Sequence, residues 1–129
     1  MAHPSARKGA RAELELAHEL SDRLGIRVER KLGAGRAEDT GDLYGLEDWT
    51  AEVKNYRSVT EAINAGLADL AREQANAGTP FGVCFVRRPG GRWIAVMDLD
   101  QFAAVYREIA APMPPKGPWT IEDQEELSL

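Results

Sequence analysis

The sequence has little of what zinc-binding, disulfide-linked or membrane proteins require. It contains one cysteine, Cys84, and two histidines, so it can form neither an internal disulfide nor a Cys/His zinc site. The longest apolar runs match a buried strand and fall far short of the roughly 20 residues of a membrane-spanning helix. No apolar segment follows the basic N-terminus. We therefore expect no secretory signal and no membrane contact, but a cytoplasmic location, including the cytoplasm of a virus-infected bacterial or archaeal cell.

Charge is unevenly distributed along the chain. The net charge is −5, and four acids stand close together near the end: Glu122, Asp123, Glu125 and Glu126. Residues 1–36, in contrast, contain eight bases against five acids. Those bases could contact phosphates, or they could simply solubilise an exposed helix and strand, so charge alone does not decide the function.

The apolar periodicity predicts one α/β domain. Residues 10–24 and a segment from an N-cap at Thr60 to about residue 77 follow the helical period, and Gly25 and Gly78 end them. Alternating or apolar runs predict five strands, at residues 26–32, 42–46, 49–54, 81–86 and 93–97. A last helix is predicted at residues 99–110. The order α-β-β-β-α-β-β-α predicts a mixed sheet with a βαβ crossover. The domain would span residues 8–110, and residues 111–129 would form a proline-rich linker and acidic tail.

The segment richest in chemistry is Gly-Asp-Leu-Tyr-Gly-Leu-Glu-Asp-Trp-Thr-Ala-Glu-Val-Lys, residues 41–54. Asp42 begins one predicted strand, and Glu52 and Lys54 share a face of the next because strand side chains alternate. Two nearby carboxylates suit Mg²⁺ or Mn²⁺, and a lysine beside them could orient an attacking water or stabilise charge on a phosphate. Alternatively, Glu52 and Lys54 face solvent on a half-buried strand and Asp42 is only a turn residue.

The two acids constrain the connection between their strands. A two-residue loop at Glu47 and Asp48 would place Asp42 opposite Val53 and turn it away from Glu52. A shared metal site therefore predicts a three-residue loop or a bulge near Gly45, where glycine tolerates the required backbone.

A third acid, Glu13, follows the basic start of the first helix, Lys8-Gly9-Ala10-Arg11-Ala12-Glu13. Together with the loop Gly33-Ala34-Gly35, the pair Gly41-Asp42 and the triplet Glu52-Val53-Lys54, this pattern resembles the PD-(D/E)XK nuclease superfamily, most closely the archaeal-type Holliday junction resolvases. The resemblance covers about residues 8–97.

The resemblance implies a restriction-endonuclease-like mixed sheet flanked by helices. It implies that Glu13, Asp42 and Glu52 bind Mg²⁺ or Mn²⁺, that Lys54 is the catalytic lysine, and that a homodimer cuts both strands of a four-way DNA junction. The bases expected to contact DNA phosphates are Lys8, Arg11, Arg30, Lys31 and Arg36.

The sequence also departs from the family's pattern. Gly41 stands where proline usually precedes the first acid, and the glycine-rich loop lacks a serine. Glu15 is an alternative ligand if the helix is rotated, and Gln74 is a candidate for the glutamine that some members carry on the following helix. The leading interpretation is an endonuclease for branched DNA. A restriction, repair or nicking enzyme on duplex DNA and a catalytically idle DNA-binding module are the alternatives.

Overall fold

The helices and strands follow one another in the order that the sequence predicts. A computed structural model describes residues 4–32 and 39–110, with side chains from residue 8. Its elements are α1 (Pro4–Leu24), β1 (Glu29–Arg30), β2 (Leu43–Tyr44), β3 (Trp49–Lys54), α2 (Val59–Ala77), β4 (Phe81–Arg87), β5 (Trp93–Val96) and α3 (Leu99–Ala110). The predicted linker and tail, 111–129, lie outside the described residues. None of the described helices is long and apolar enough to cross a membrane.

The main sheet is mixed, and β4 lies at its centre. β3 pairs with β4 in parallel, so that Glu52 lies beside Cys84, and β5 pairs with β4 antiparallel. α2 makes the crossover between the two parallel strands. β1 and β2 form a separate two-stranded antiparallel sheet. The predictions of an α/β chain, a mixed sheet and a βαβ crossover are confirmed.

Helices cover both faces of β3. On one face Ala51 and Val53 pack in a cluster with Leu16 and Ala17 of α1. On the other, Cys84 and Val86 of the neighbouring β4 pack against α2. The four central residues of β3 are consequently all buried. The alternative interpretation, a solvent-facing Glu52 on a half-buried strand, is therefore wrong.

Several predicted boundaries differ from the structure: α1 begins at Pro4 and not at residue 10, and β1 and β2 each have only two residues. The helix α2 begins two residues earlier than predicted, because Ser58 and not Thr60 is its N-cap: Ser58 has extended backbone angles, and its Oγ accepts the Glu61 N–H at 3.2 Å. The first strand is short because its partner β2 has only two residues to pair with it. The predicted stop at Gly78 is confirmed, since this residue is left-handed and donates its N–H to the Gln74 carbonyl.

β2 and β3 do not form the hairpin in which the spacing of the acids predicts a three-residue loop or a bulge near Gly45, because the two strands belong to different sheets. The closing turn itself is the two-residue one, with the Trp49 N–H donating to the Leu46 carbonyl at 3.0 Å. Leu43 and Tyr44, however, pair with β1 instead of β3. Gly45 has a φ of 104° and packs against the Arg27 carbonyl. The chain then meets β3 again at Asp42, which is displaced from the regular hairpin register.

Replacing the two candidate N-caps separates their roles. Ser58→Ala removes the acceptor for the Glu61 N–H, so we expect it to lower the free energy of unfolding by about 1 kcal/mol. Thr60→Ala is the matched control, because this exposed residue lies inside the helix, and we expect a change of less than about 0.5 kcal/mol. Urea denaturation measures both. A larger loss for Thr60→Ala than for Ser58→Ala would contradict the cap assignment.

Candidate active site

Asp42 occupies the open edge of β3. Its backbone N–H donates to the Ala51 carbonyl at 2.8 Å, and its Oδ2 accepts the Val53 N–H at 2.8 Å. The carboxylate thus replaces the carbonyl that a further strand would offer. Gly41, just before it, has a φ of 104°, which proline cannot adopt. The departure from the proline of the family's pattern therefore follows from the backbone at this point.

Glu52 and Lys54 lie on the face of β3 that α2 covers. Lys54 Nζ is 3.4 Å from Glu52 Oε1 and 2.7 Å from Asp69 Oδ2 of α2. The Glu52 carboxyl is also within hydrogen-bonding reach of Asp42. Asp42 is 3% exposed and Glu52 is 4% exposed. The structure thus brings three of the predicted site residues together in one buried cluster.

Burial and crowding perturb the pKa values of these groups. Burial raises the pKa of Asp42 to about 8, and the neighbouring Glu52 carboxyl adds to the effect. Burial also raises the pKa of Glu52 to about 8, with a contribution from Glu73. For Lys54, burial acts to lower the pKa, but the hydrogen bond to Asp69 and the charge of Glu52 outweigh it and leave the pKa raised. Lys54 therefore stays protonated.

α2 contributes a polar face that the sequence prediction missed. Asp69, Glu73 and Asn76 follow one another at steps of four and three residues, so they lie on one side of the helix. Asp69 binds Lys54, the Glu73 carboxyl lies beside Glu52, and Asn76 Nδ2 donates to the Asp39 carbonyl at 2.9 Å. The available signal was this polar spacing along the same face as the buried Ala62, Gly66 and Leu70.

Glu13 is near the cluster but is already paired. Its Oε2 accepts a 2.7 Å hydrogen bond from Arg30 Nε. Burial and the charge of Asp42 nevertheless raise its pKa above the usual value. The charge of Asp42 therefore acts on Glu13, while the Glu13 carboxylate is bound by the Arg30 guanidinium. This pairing differs from the direct ligand role that the resemblance implies.

The bases that were predicted to contact DNA lie in different surroundings. Lys8 and Arg11 are exposed on α1, whereas Lys31 Nζ donates to Thr40, at 3.0 Å to its carbonyl oxygen and 3.1 Å to its Oγ1. Arg30 is paired with Glu13, and Arg36 lies outside the described residues.

The two alternative site residues are engaged elsewhere. Glu15 pairs with Arg87 of β4 at 2.7 Å. Gln74 donates to Thr79 and to Gln101, and thereby joins the end of α2 to α3. In their place, Glu13 is the acid of α1 that interacts with Asp42, and Glu73 is the α2 side chain beside Glu52.

The chemistry of the cluster fits a hard divalent cation, although the ligands are not preassembled. Within residues 8–32 and 39–110, no three His, Cys, Asp or Glu side chains are arranged to hold a metal ion as they stand. Two buried carboxylate oxygens, Glu52 Oε2 and Glu73 Oε2, have no hydrogen-bond donor in the same part of the chain. Buried, unpartnered oxygens beside other carboxyls are the donors that Mg²⁺ or Mn²⁺ prefers. Asp42 and Glu52 are the residues that would hold it.

Comparison of the chain with protein-family models, curated proteins and solved structures finds no match. The functional proposal therefore depends on the geometry of this cluster and on the sequence motifs that form it.

The raised carboxyl pKa values predict how stability depends on pH. The unfolded chain releases the protons of Asp42 and Glu52 near their ordinary pKa values of 3.8 and 4.5, whereas the folded protein keeps them to about pH 8. Across this window the folded state binds more protons, so these groups make the free energy of unfolding fall as pH rises. In metal-free buffer at pH 8 we expect Asp42→Asn and Glu52→Gln each to raise the free energy of unfolding by about 1 kcal/mol or more.

Denaturation at pH 5 and pH 8 checks this expectation. The difference between each variant and the wild type should be small at pH 5 and large at pH 8. Asp22→Asn, an exposed site on α1, is the control and should change stability by less than about 0.5 kcal/mol. An equal effect of Asp42→Asn at both pH values would show that burial does not perturb this carboxyl.

Proposed function

We propose that the protein is a divalent-metal-dependent endonuclease of the PD-(D/E)XK type that hydrolyses phosphodiester bonds in DNA. The observation that carries the proposal is the convergence of Asp42, Glu52 and Lys54 in one buried cluster. Asp42 and Glu52 are ten residues apart in the sequence, and the hydrogen bond from the Asp42 N–H to the Ala51 carbonyl holds their carboxyls within reach of each other. Such an arrangement stabilises the fold poorly, which favours a catalytic role for it.

The side chains divide the chemistry between them. Bound Mg²⁺ or Mn²⁺ supplies an activated water and positive charge for the phosphate oxygens. Asp42 and Glu52 hold the ion, and the Val53 N–H fixes the Asp42 carboxylate in place. Lys54 is protonated and anchored by Asp69, so it acts as a hydrogen-bond donor and a positive charge, not as a base.

Branched DNA is the substrate class that we propose first. The motifs resemble those of Holliday junction resolvases, and the exposed Lys8 and Arg11 of α1 could contact the phosphate backbone. One observation favours a second candidate, DNA binding without cleavage. Glu13 is neutralised by Arg30 at 2.7 Å, so the third ligand that the resemblance implies is occupied.

Cleavage assays separate these functions. We expect the wild-type protein with Mg²⁺ to cut a four-way junction faster than flap, nicked or linear duplex DNA. Asp42→Asn, Glu52→Gln and Lys54→Ala should each lower the rate by at least about 100-fold, while binding of the same DNA is kept. Asp22→Asn is the control and should cut normally.

Two outcomes would contradict the proposal. A carboxylate variant that cuts at the wild-type rate would show that the site is elsewhere. A wild-type protein that binds all four DNAs and cuts none would identify a binding module.

A two-fold dimer is the assembly that we propose, because a resolvase must cut two symmetric strands. α3 has no buried residue. Its large apolar side chains lie at steps of three, four and three residues and are more than half exposed: Leu99, Phe102, Tyr106 and Ile109. This spacing is the pattern with which one helix packs on another. In an antiparallel pair, Leu99 would meet Ile109, and Phe102 would meet Tyr106, so the stripe is self-complementary.

Light scattering tests this assembly. The wild-type protein should have twice the mass of one chain at micromolar concentration, and Phe102→Glu should shift it to the monomer mass because a charge enters the centre of the stripe. Glu108→Lys, at an exposed position of the same helix, is the control and should stay dimeric. A wild-type monomer that still cuts junctions would favour a nicking enzyme.

A further inference from the structure

Glu73 occupies a position of α2 that the helix otherwise fills with small or apolar residues. The buried residues of α2 are Ala62, Gly66, Leu70 and Glu73, which follow one another along a single face. Glu73 is 2% exposed. An ionised carboxylate at such a position destabilises the folded state unless a proton, a counter-ion or a metal neutralises it.

The described contacts of Glu73 leave this charge largely unsatisfied. Arg72 Nη2 lies 3.8 Å from Glu73 Oε1, but its side chain is 53% exposed, so water screens the pair. Glu73 Oε2 has no donor from residues 8–32 or 39–110. Glu73 thus differs from Glu13, whose carboxylate is 2.7 Å from Arg30.

The Glu73 carboxyl lies beside a second carboxyl that also has an unpartnered oxygen. The Glu52 carboxyl is adjacent to Glu73, and Glu52 Oε2 likewise lacks a donor within the described part of the chain. Asp39 and Asp42 also act on Glu73 through their charges. Glu73, which is 2% exposed and has one unpartnered carboxylate oxygen, therefore lies among acids contributed by both β3 and the segment before β2.

We propose that Glu73, and not Glu13, supplies the third carboxylate to the divalent cation held by Asp42 and Glu52. This inference rests on the metal site of the proposed function. A divalent cation is attracted to both unpartnered oxygens and offsets the negative charge of the three acids. Glu13 instead accepts a hydrogen bond from Arg30, and this bond ties α1 to β1. Within the described residues the three carboxyls do not form a closed set on their own, so they would have to move together to bind the ion.

Calorimetric titration with MnCl₂ alone tests the proposal without DNA or activity. We expect Glu73→Gln to weaken Mn²⁺ binding by about 10- to 100-fold relative to the wild type. Glu13→Gln, the matched variant, should change it by no more than about threefold, as should the exposed control Asp22→Asn. Wild-type affinity in Glu73→Gln would overturn the proposal. So would a larger loss in Glu13→Gln, or no Mn²⁺ binding by the wild-type protein at millimolar concentration.

Folding is checked by the melting temperature of each variant without metal. Glu73→Gln removes a buried charge and keeps the side chain's shape, so it should melt at or above the wild-type temperature. If it is unfolded, Glu73→Met, which fills the same volume without a ligand atom, replaces it and should lose Mn²⁺ affinity to the same extent. Wild-type Mn²⁺ affinity in Glu73→Met would overturn the proposal.

The result is also distinguishable from the outcome for the proposed function. A protein that binds Mn²⁺ through Glu73 but leaves every DNA uncut supports this inference and contradicts the nuclease. A protein that cuts DNA while Glu73→Gln binds Mn²⁺ normally contradicts this inference alone.

Discussion

Carboxyl groups buried between β3 and α2 are the constraint on which the rest of this structure depends. Asp42, Glu52 and Glu73 are each less than 5% exposed, and burial raises the pKa values of all three, with the Glu52 carboxyl adding to the effect on Asp42. Such a cluster opposes folding wherever it is ionised. Its stability must come from elsewhere, namely from the apolar packing of α1 and α2 on the two faces of the sheet.

The backbone around the cluster is organised to hold these groups. Asp42 is fixed by two hydrogen bonds to the edge of β3, one through its amide and one through its carboxylate. Lys54 is fixed by Asp69, so its ammonium stays charged beside Glu52. For the nuclease that we propose, positions held this firmly would undergo little reorganisation when charge develops on a substrate, which favours electrostatic stabilisation of the transition state.

The site also explains the shape of the fold near it. A regular hairpin from β2 to β3 would turn Asp42 away from Glu52. Instead, Leu43 and Tyr44 leave β3 and pair with β1, and Gly45 takes the backbone angle that this departure requires. The short second sheet is thus the structural consequence of bringing an acid to the edge of the first.

The sequence by itself determined the order and type of the elements, because apolar periodicity and glycine stops are local signals: the last helix, the strand at Trp49–Lys54 and the stop at Gly78 all lie where predicted. It also singled out Asp42, Glu52 and Lys54, whose motif is contiguous. Only the tertiary structure decided that β3 is covered on both faces, that Arg30 pairs with Glu13, and that Asp69 and Glu73 of α2 lie beside the cluster. These features depend on which helix packs against which strand, and that choice is made by long-range packing that no local pattern encodes.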